Sequence, residues 1–538
     1  MAAGRERTTG AGARAGAVLV GMTAANAMIL VDQTAVPLTL PDIMRDFEVG
    51  SAKAQWVLNA SLLMLAGLLV LGGRLGDLLG RRRIFLLGCV LFAGGSALAG
   101  LAPLFEVLIA ARVVQGVGGA LMLPTSVALV SAAHDAERKG RALGLMGGIA
   151  AVAGALGPTI GGVLTTAISW RAVLLVNVPL AVLCIAVTLR AVPADAPRTT
   201  RVHVDISGSL LFCIALVCGV YGLSATQDQP FSEPGVLVPV AVAVVALTLF
   251  VGRERRARNP LVSFSLLRST PNYLGATLSQ GLAGMAEMGL GVIFPLLLVI
   301  NLEMSPALAG LALIPATVPM IVLAPLTGRW YDRAGGRPPL VAGFAVLAAA
   351  GVALAIGVQG IERPGGGVQH GAYLALLPGL LLYGIGLAFV LTANDPVSLD
   401  SIPEQDEGQA SGVSATAEQG GGAIGIAVLY ALFHTAYLDR LHARIDASPL
   451  GDLTAEQASQ LRSALQGAEA TGLRPDHFDE NLKAYLRPAY EASRYGYTVT
   501  FLAVAAIAVL GLVATAWLVR RPRPEVIDET PASDRPPG

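Results

Sequence analysis

The chain has 538 residues and no net formal charge, 37 basic side chains balancing 37 acidic ones. Hydrophobic residues make up 54% and charged residues only 14%, where a soluble protein carries about 25%, so a string of soluble domains is excluded in favour of a polytopic membrane protein, and nothing in the charge points to a nucleic-acid partner. The four cysteines, Cys89, Cys184, Cys213 and Cys218, lie in apolar stretches, and the six histidines (His134, His203, His370, His434, His442 and His477) are scattered, so neither a disulfide framework nor a metal, cofactor or catalytic cluster is expected.

Residues 1–14 are short, basic and polar, and the apolar segment behind them is too long for a signal-peptide core. A helix crosses the hydrocarbon with about 20 apolar residues. In chain order such segments fall near 16–39, 54–73, 84–103, 106–129, 142–165, 171–190, 205–225, 235–252, 273–300, 305–327, 339–358, 372–394, 409–433 and 496–519, giving fourteen spans. Arginine and lysine gather in alternate loops: Arg74 with Arg81–Arg83, Arg138 with Lys139 and Arg141, Arg253–Arg258, Arg329 with Arg333 and Arg337, and Arg520 with Arg521 and Arg523. Basic loops stay in the cytoplasm, so both termini are expected there, the tail 521–538 included. Residues 434–494 are read as one long external loop, partly helical because Thr454-x-x-Gln457 has a capping-box pattern.

Two charged stretches repeat. "GGRLGDLLGRRR" (Gly72 to Arg83) and "GRWYDRAGGR" (Gly328 to Arg337) share one skeleton. Gly73, Arg74, Asp77, Gly80 and Arg82 match Gly328, Arg329, Asp332, Gly335 and Arg337 at a shift of 255, and the same shift carries Asp32 onto Glu287. The chain therefore reads as two six-helix bundles, 1–192 and 272–520, with two inserted helices at 205–252. Parallel copies of this kind are one of the repeat arrangements found in transporters. The charged stretch is expected to form a tight turn, its glycines allowing close approach, its arginines holding it in the cytoplasm and its aspartate acting as a contact that breaks and re-forms.

These residues resemble the major facilitator superfamily, and within it the fourteen-span drug:proton antiporters of the QacA-like group. "GGRLGDLLGRRR" is similar to the family's loop 2–3 motif, "LIAARVVQGVGGALM" (Leu108 to Met122) to its fourth-helix motif with Arg112, Gln115 and Gly116 in place, and "GALGPTIGG" (Gly154 to Gly162) to its fifth-helix antiporter motif with Gly157, Pro158, Gly161 and Gly162. Ala153 stands where the family favours glycine. "VDQTAVPLTLP" (Val31 to Pro41) and "SWRAVLLVNVP" (Ser169 to Pro179) resemble its first- and sixth-helix signatures. The resemblance spans nearly the whole chain. It implies a bacterial cell-membrane protein of the major facilitator fold that works as a monomer by alternating access, exchanging protons for drugs, antibiotics or other lipophilic or cationic molecules. A carrier of one specific metabolite is the alternative with the same fold.

An ionised side chain in mid-helix costs about 2.5–3.5 kcal/mol on insertion scales and is a functional candidate by default. Asp32, Arg112, Glu287 and Glu418 qualify. Asp32 lies about nine residues and Arg112 about six residues from the same membrane face, or roughly 13 and 9 Å at the helical rise, so the two are expected to meet. Asp395, at the cytoplasmic end of span 12, is expected to be an interfacial residue. No nucleotide-binding loop or catalytic triad is present in the sequence, so a transporter rather than an enzyme is expected.

Overall fold

The computed structural model describes residues 2–195, 206–226, 229, 231–257, 262, 264–361, 370–402, 407–446 and 486–520. Among these residues every regular element is helical. Fourteen helices are long and apolar enough to cross a membrane. Spans 1 to 6 are Arg14–Asp46, Trp56–Leu79, Arg81–Gly100, Phe105–Ala133, Ala142–Ala167 and Trp170–Ala191. Spans 7 and 8 are Ile206–Ala225 and Pro234–Glu254. Spans 9 to 14 are Pro271–Asn301, Pro306–Ala334, Arg337–Gly360, Gly371–Leu399, Ala410–Ala443 and Tyr490–Leu518. An even number of crossings puts both ends of the described chain on one face, here the terminal face.

Spans 1–6 pack as one bundle and spans 9–14 as another. Span 7 lies against spans 2 and 13, bridging the two bundles, and span 8 packs outside it. The helix of span 13 runs over Glu407–Asp446 and the last helix begins at Leu486, so both ends of the segment read as an external loop are helical. Burial of Phe433, Tyr437 and Leu441 explains the first extension, because the apolar stripe outlasts the membrane-length segment. The predicted cap at Thr454 and the tail 521–538 lie outside the described residues.

The first charged motif is helical on both sides of a one-residue turn. Span 2 stays helical through Leu79 and span 3 starts at Arg81, leaving Gly80 alone between them. Gly72 serves close helix packing: a Cβ there would sit 2.1 Å from the Ala120 carbonyl of span 4. Gly80 makes the reversal with φ 108°, and its repeat partner Gly335 does so with φ 75°. Such angles favour glycine because a Cβ clashes there. Both halves then use the motif in the same way. Arg82 Nη2 donates to the Leu189 carbonyl at 3.0 Å, two residues before span 6 ends. Arg337 Nη2 donates to the Ala516 carbonyl at 2.7 Å, two residues before span 14 ends. Each arginine thus satisfies a last-turn carbonyl that has no partner within its helix. Asp195 completes the first joint, accepting from the backbone N–H groups of Arg82 (3.2 Å) and Arg83 (3.0 Å).

On the face opposite the termini the two bundles touch directly. A Cβ on Gly162 of span 5 would meet the Pro306 carbonyl at 2.1 Å, and one on Gly310 of span 10 would meet the Pro158 carbonyl at 2.4 Å. The Thr166 hydroxyl accepts from Ala307 N–H at 3.0 Å, and the Thr159 hydroxyl donates to Gly310 O at 3.2 Å. Pro158 lacks the N–H that would bond the Gly154 carbonyl. The Thr34 hydroxyl of span 1, 2.8 Å away, takes that carbonyl. Gly157 makes room for it, since a Cβ there would lie 1.8 Å from Thr34 Oγ1, and Gly161 fits against Ala35 O in the same groove.

The alternation of faces has a direct test. In a chain whose four cysteines are replaced by alanine, single cysteines at Leu101 and at Ala194, both exposed ends of loops, are expected to react with an impermeant maleimide from opposite sides of the membrane. Labelling of both from one side would contradict the fourteen-crossing fold.

Candidate transport site

A cavity of about 340 Å³ lies between the bundles, closed on the opposite face by the contacts of spans 5 and 10. Its wall is largely apolar, with Leu30, Met288, Phe294 and Met320 among the lining side chains. Four charged residues reach it: Arg112, Glu287, Glu418 and Asp395.

Arg112 is 1% exposed and Asp32 is 4% exposed, and they meet as expected, with Arg112 Nη1 2.7 Å from Asp32 Oδ2. Low dielectric makes an unpaired charge prohibitive there, so the rest of the network matters as much as the pair. Arg112 Nε donates to the Val57 carbonyl at 2.7 Å, Nη1 also to Gln115 Oε1 at 2.6 Å, and Nη2 to Ser61 Oγ at 2.7 Å. Asp32 Oδ1 accepts from Gln115 Nε2 at 2.9 Å and from Asn177 Nδ2 at 2.8 Å. Four spans contribute: span 1 the acid, span 2 the serine and a carbonyl, span 4 the arginine and glutamine, span 6 the asparagine. Every contact to Asp32 is a donor, which is the pattern of an ionised carboxylate. Gly116, beside Gln115 in the same motif, lets span 4 come close to span 2, since a Cβ there would be 2.4 Å from Ser61 O.

The second bundle is arranged differently. Glu287 of span 9 and Glu418 of span 13 both line the cavity and lie within electrostatic reach of each other. Glu418 accepts from Gln280 Nε2 at 2.5 Å. Glu287 Oε2 is buried with no hydrogen-bond partner among the described residues. The shift of 255 pairs Asp32 with Glu287 in sequence, yet among the described residues no arginine forms an ion pair with Glu287. The halves meet at this depth through Gln33 Nε2 and Gln419 Oε1, 2.9 Å apart, next in sequence to Asp32 and Glu418.

Residues 22–426 match the Major Facilitator Superfamily. The chain belongs to the major facilitator superfamily. Among its relatives are the "Multidrug resistance protein Stp" of Mycobacterium tuberculosis (strain CDC 1551 / Oshkosh), 34% identical over 75% of this chain and 73% of that protein, and the "Tetracenomycin C resistance and export protein" of Streptomyces glaucescens, 33% identical over 77% of this chain and 74% of that one. A solved bacterial homologue of the human lysosomal transporter Spinster, in an inward-facing and unoccupied conformation, has a TM-score of 0.59 at 15% identity, covering 94% of this chain and 98% of that one. That likeness is one of fold.

For this member of the superfamily, three of the four acids and bases singled out in the sequence, Arg112, Glu287 and Glu418, line one cavity, and the fourth, Asp32, is bonded to Arg112 without lining it. The repeated motif residues do not: Arg74 and Asp77 lie at the terminal-face end of span 2, where Asp77 pairs with Arg81 at 2.9 Å, and Asp332 is exposed at the matching end of span 10. A half-exposed pair such as Asp77–Arg81 contributes little to stability. Asp395 departs from expectation. Although one turn from the end of its helix, it is among the residues that line the cavity. Asn177, Ser61, Gln33 and Gln419 were not singled out beforehand. Their only signal in the sequence is a lone polar residue inside an apolar run, which Asn177 shows in "LLVNVP".

Removing one partner of a buried pair is costly because it strands the other. Arg112→Leu is therefore expected to lose ~3–5 kcal/mol of stability, read as a lowered unfolding temperature of the purified protein in detergent. Adding Asp32→Asn in the same chain is expected to restore most of it. Equal destabilisation by the double variant would show that the two side chains are not coupled.

Proposed function

We propose that this protein is a proton-driven antiporter that expels lipophilic cations from the cytoplasm, with Asp32 as the proton carrier and Arg112 as the group that tunes it. The observation that carries this reading is the juxtaposition of a buried, hydrogen-bonded Asp32–Arg112 network with a cavity whose remaining charged groups, Glu287, Glu418 and Asp395, are all acids. A carboxyl is favoured in its charged form when an arginine and two amide donors surround it, as Arg112, Gln115 and Asn177 surround Asp32, and in its neutral form when they withdraw. Alternating access supplies that change of surroundings. The basic loops support a cytoplasmic terminal face, and the closed opposite face then corresponds to an inward-facing state. An unpartnered buried carboxyl such as Glu287 is stable when it carries a proton or binds a cation, and the apolar wall suits the body of an amphiphilic molecule. The relatives named for multidrug resistance and for export agree with the direction of transport.

The antiporter motif fits the same scheme. Gly157 and Gly161 seat span 1, Gly162 seats span 10, and Pro158 keeps one carbonyl free for Thr34, so opening the outer face must part span 5 from span 10 while span 5 stays joined to the Asp32 helix. The repeated motif, with Gly73, Arg74, Asp77, Gly80, Arg82 and Asp332, holds the terminal-face helix ends and acts as the conformational joint.

Two outcomes are expected in proteoliposomes with an imposed pH gradient and ethidium as the probe. Asp32→Asn is expected to abolish uphill ethidium transport while binding ethidium within a few-fold of the parent, because an amide cannot cycle a proton. Uphill transport at the parent rate by Asp32→Asn would move the coupling role to another acid. Asp77→Asn is expected to keep its unfolding temperature and slow transport, and an unchanged rate would remove the motif from the switching step.

A further inference from the structure

Behind Arg112, on the side away from the large cavity, lies a second and much smaller space of about 20 Å³, lined by Asp32, Gln33, Ser61, Gln115 and the apolar residues Ile29, Leu65 and Phe92 with Gly116 and Gly119. A single water needs about 10–15 Å³ of such space and two to four polar partners, and this chamber offers both. Gln33 and Ser61 border both spaces, Arg112 lines the large one, and Asp32 and Gln115 line only the small one. The Arg112 side of the network is thus a partition, and the carboxylate sits behind it.

The free bonding capacity of Asp32 points the same way. A carboxylate has about four acceptor positions. Asp32 spends two at Oδ1 on Gln115 and Asn177 and one at Oδ2 on Arg112. Oδ2 has room for one more donor. The chamber also has a direction. Span 1 runs away from the terminal face, so Ile29 lies about one helical turn nearer that face than Asp32, and spans 2 and 4 run towards it, so Leu65 and Gly119 lie nearer to it than Ser61 and Arg112. The charged group that faces Asp32 from the helices packed on span 1 is Arg112 of span 4; span 6 presents Asn177, and span 5 approaches span 1 through Gly154 and Gly157.

We propose that this chamber is a water-binding proton port, through which Asp32 exchanges its proton with the terminal face without passing through the substrate cavity. The inference rests on Asp32 being the proton carrier. In the step itself, the protonated carboxyl transfers H⁺ to the chamber water, leaving a carboxylate that Arg112 holds and a hydronium that passes its proton on towards the terminal face. Substrate occupying the large cavity then does not block proton release, so the two cargoes use separate routes on one face.

A Cβ on Gly119 would lie 3.1 Å from Leu65 Cδ1 and 3.8 Å from the Phe92 ring, so Gly119→Leu fills the chamber from its wall without touching the Asp32–Arg112 bonds. The full-length protein in lipid vesicles is subjected to a pH jump while infrared spectroscopy follows the carboxyl band that Asp32→Asn removes. The expected result is a band that rises about tenfold more slowly in Gly119→Leu, a barrier increase of ~1.4 kcal/mol, with ethidium affinity kept and with an unaltered rate when ethidium saturates the parent protein. A parent-like rate in folded Gly119→Leu, or a rate that ethidium suppresses in the parent, overturns the port and leaves the antiport reading standing. Absence of any band that depends on Asp32 overturns both. If Gly119→Leu does not fold, Leu65→Phe closes the same chamber from the facing helix and is read by the same criteria.

Discussion

A carboxylate and a guanidinium held 2.7 Å apart in the middle of a six-helix bundle set the terms for everything around them. Neither charge is tolerable alone at that depth, and the pair is tolerable only when its remaining donors and acceptors are met. That requirement brings Asn177, Gln115, Ser61 and the Val57 carbonyl to one point and so fixes how spans 1, 2, 4 and 6 pack. The glycines of the fourth-helix motif follow from it. Span 4 can carry Arg112 inward only if its backbone comes close to its neighbours, and Gly116 against Ser61 and Gly118 against Phe92 N allow that.

The same logic, applied to backbone groups, shapes the closed face. A proline inside span 5 frees a carbonyl that lipid cannot satisfy. Thr34 satisfies it, and because Thr34 sits two residues from Asp32, the helix that bears the acid is tied to the helix that closes the face opposite the termini. The inserted pair, spans 7 and 8, stands outside this core and covers the seam between spans 2 and 13.

The two halves share an origin in sequence and differ in electrostatics. Both fasten the last helix of the bundle with one motif arginine, Arg82 to Leu189 and Arg337 to Ala516. At mid-membrane one half neutralises its acid internally and the other leaves Glu287 and Glu418 facing the cavity. On the proposed reading, that difference separates a proton site from a cargo site within one repeated architecture.

The sequence by itself determined the number of spans, the repeat and the identities of Asp32, Arg112, Glu287 and Glu418, because each is a strong signal along the chain: apolar length, motif spacing, and charge where charge is expensive. It also placed Asp32 and Arg112 at one depth, since helical rise converts residue count into distance. Tertiary structure alone decided which helix faces meet. That is why Asp395 lines the cavity, why Asn177 entered the network, why the glycine-rich motif is helix on both sides of a one-residue turn, and why a small chamber lies beside Asp32. Rotation about a helix axis costs the sequence pattern almost nothing in a membrane, where lipid and protein interior are equally apolar, and only the packing of one helix against the next fixes it.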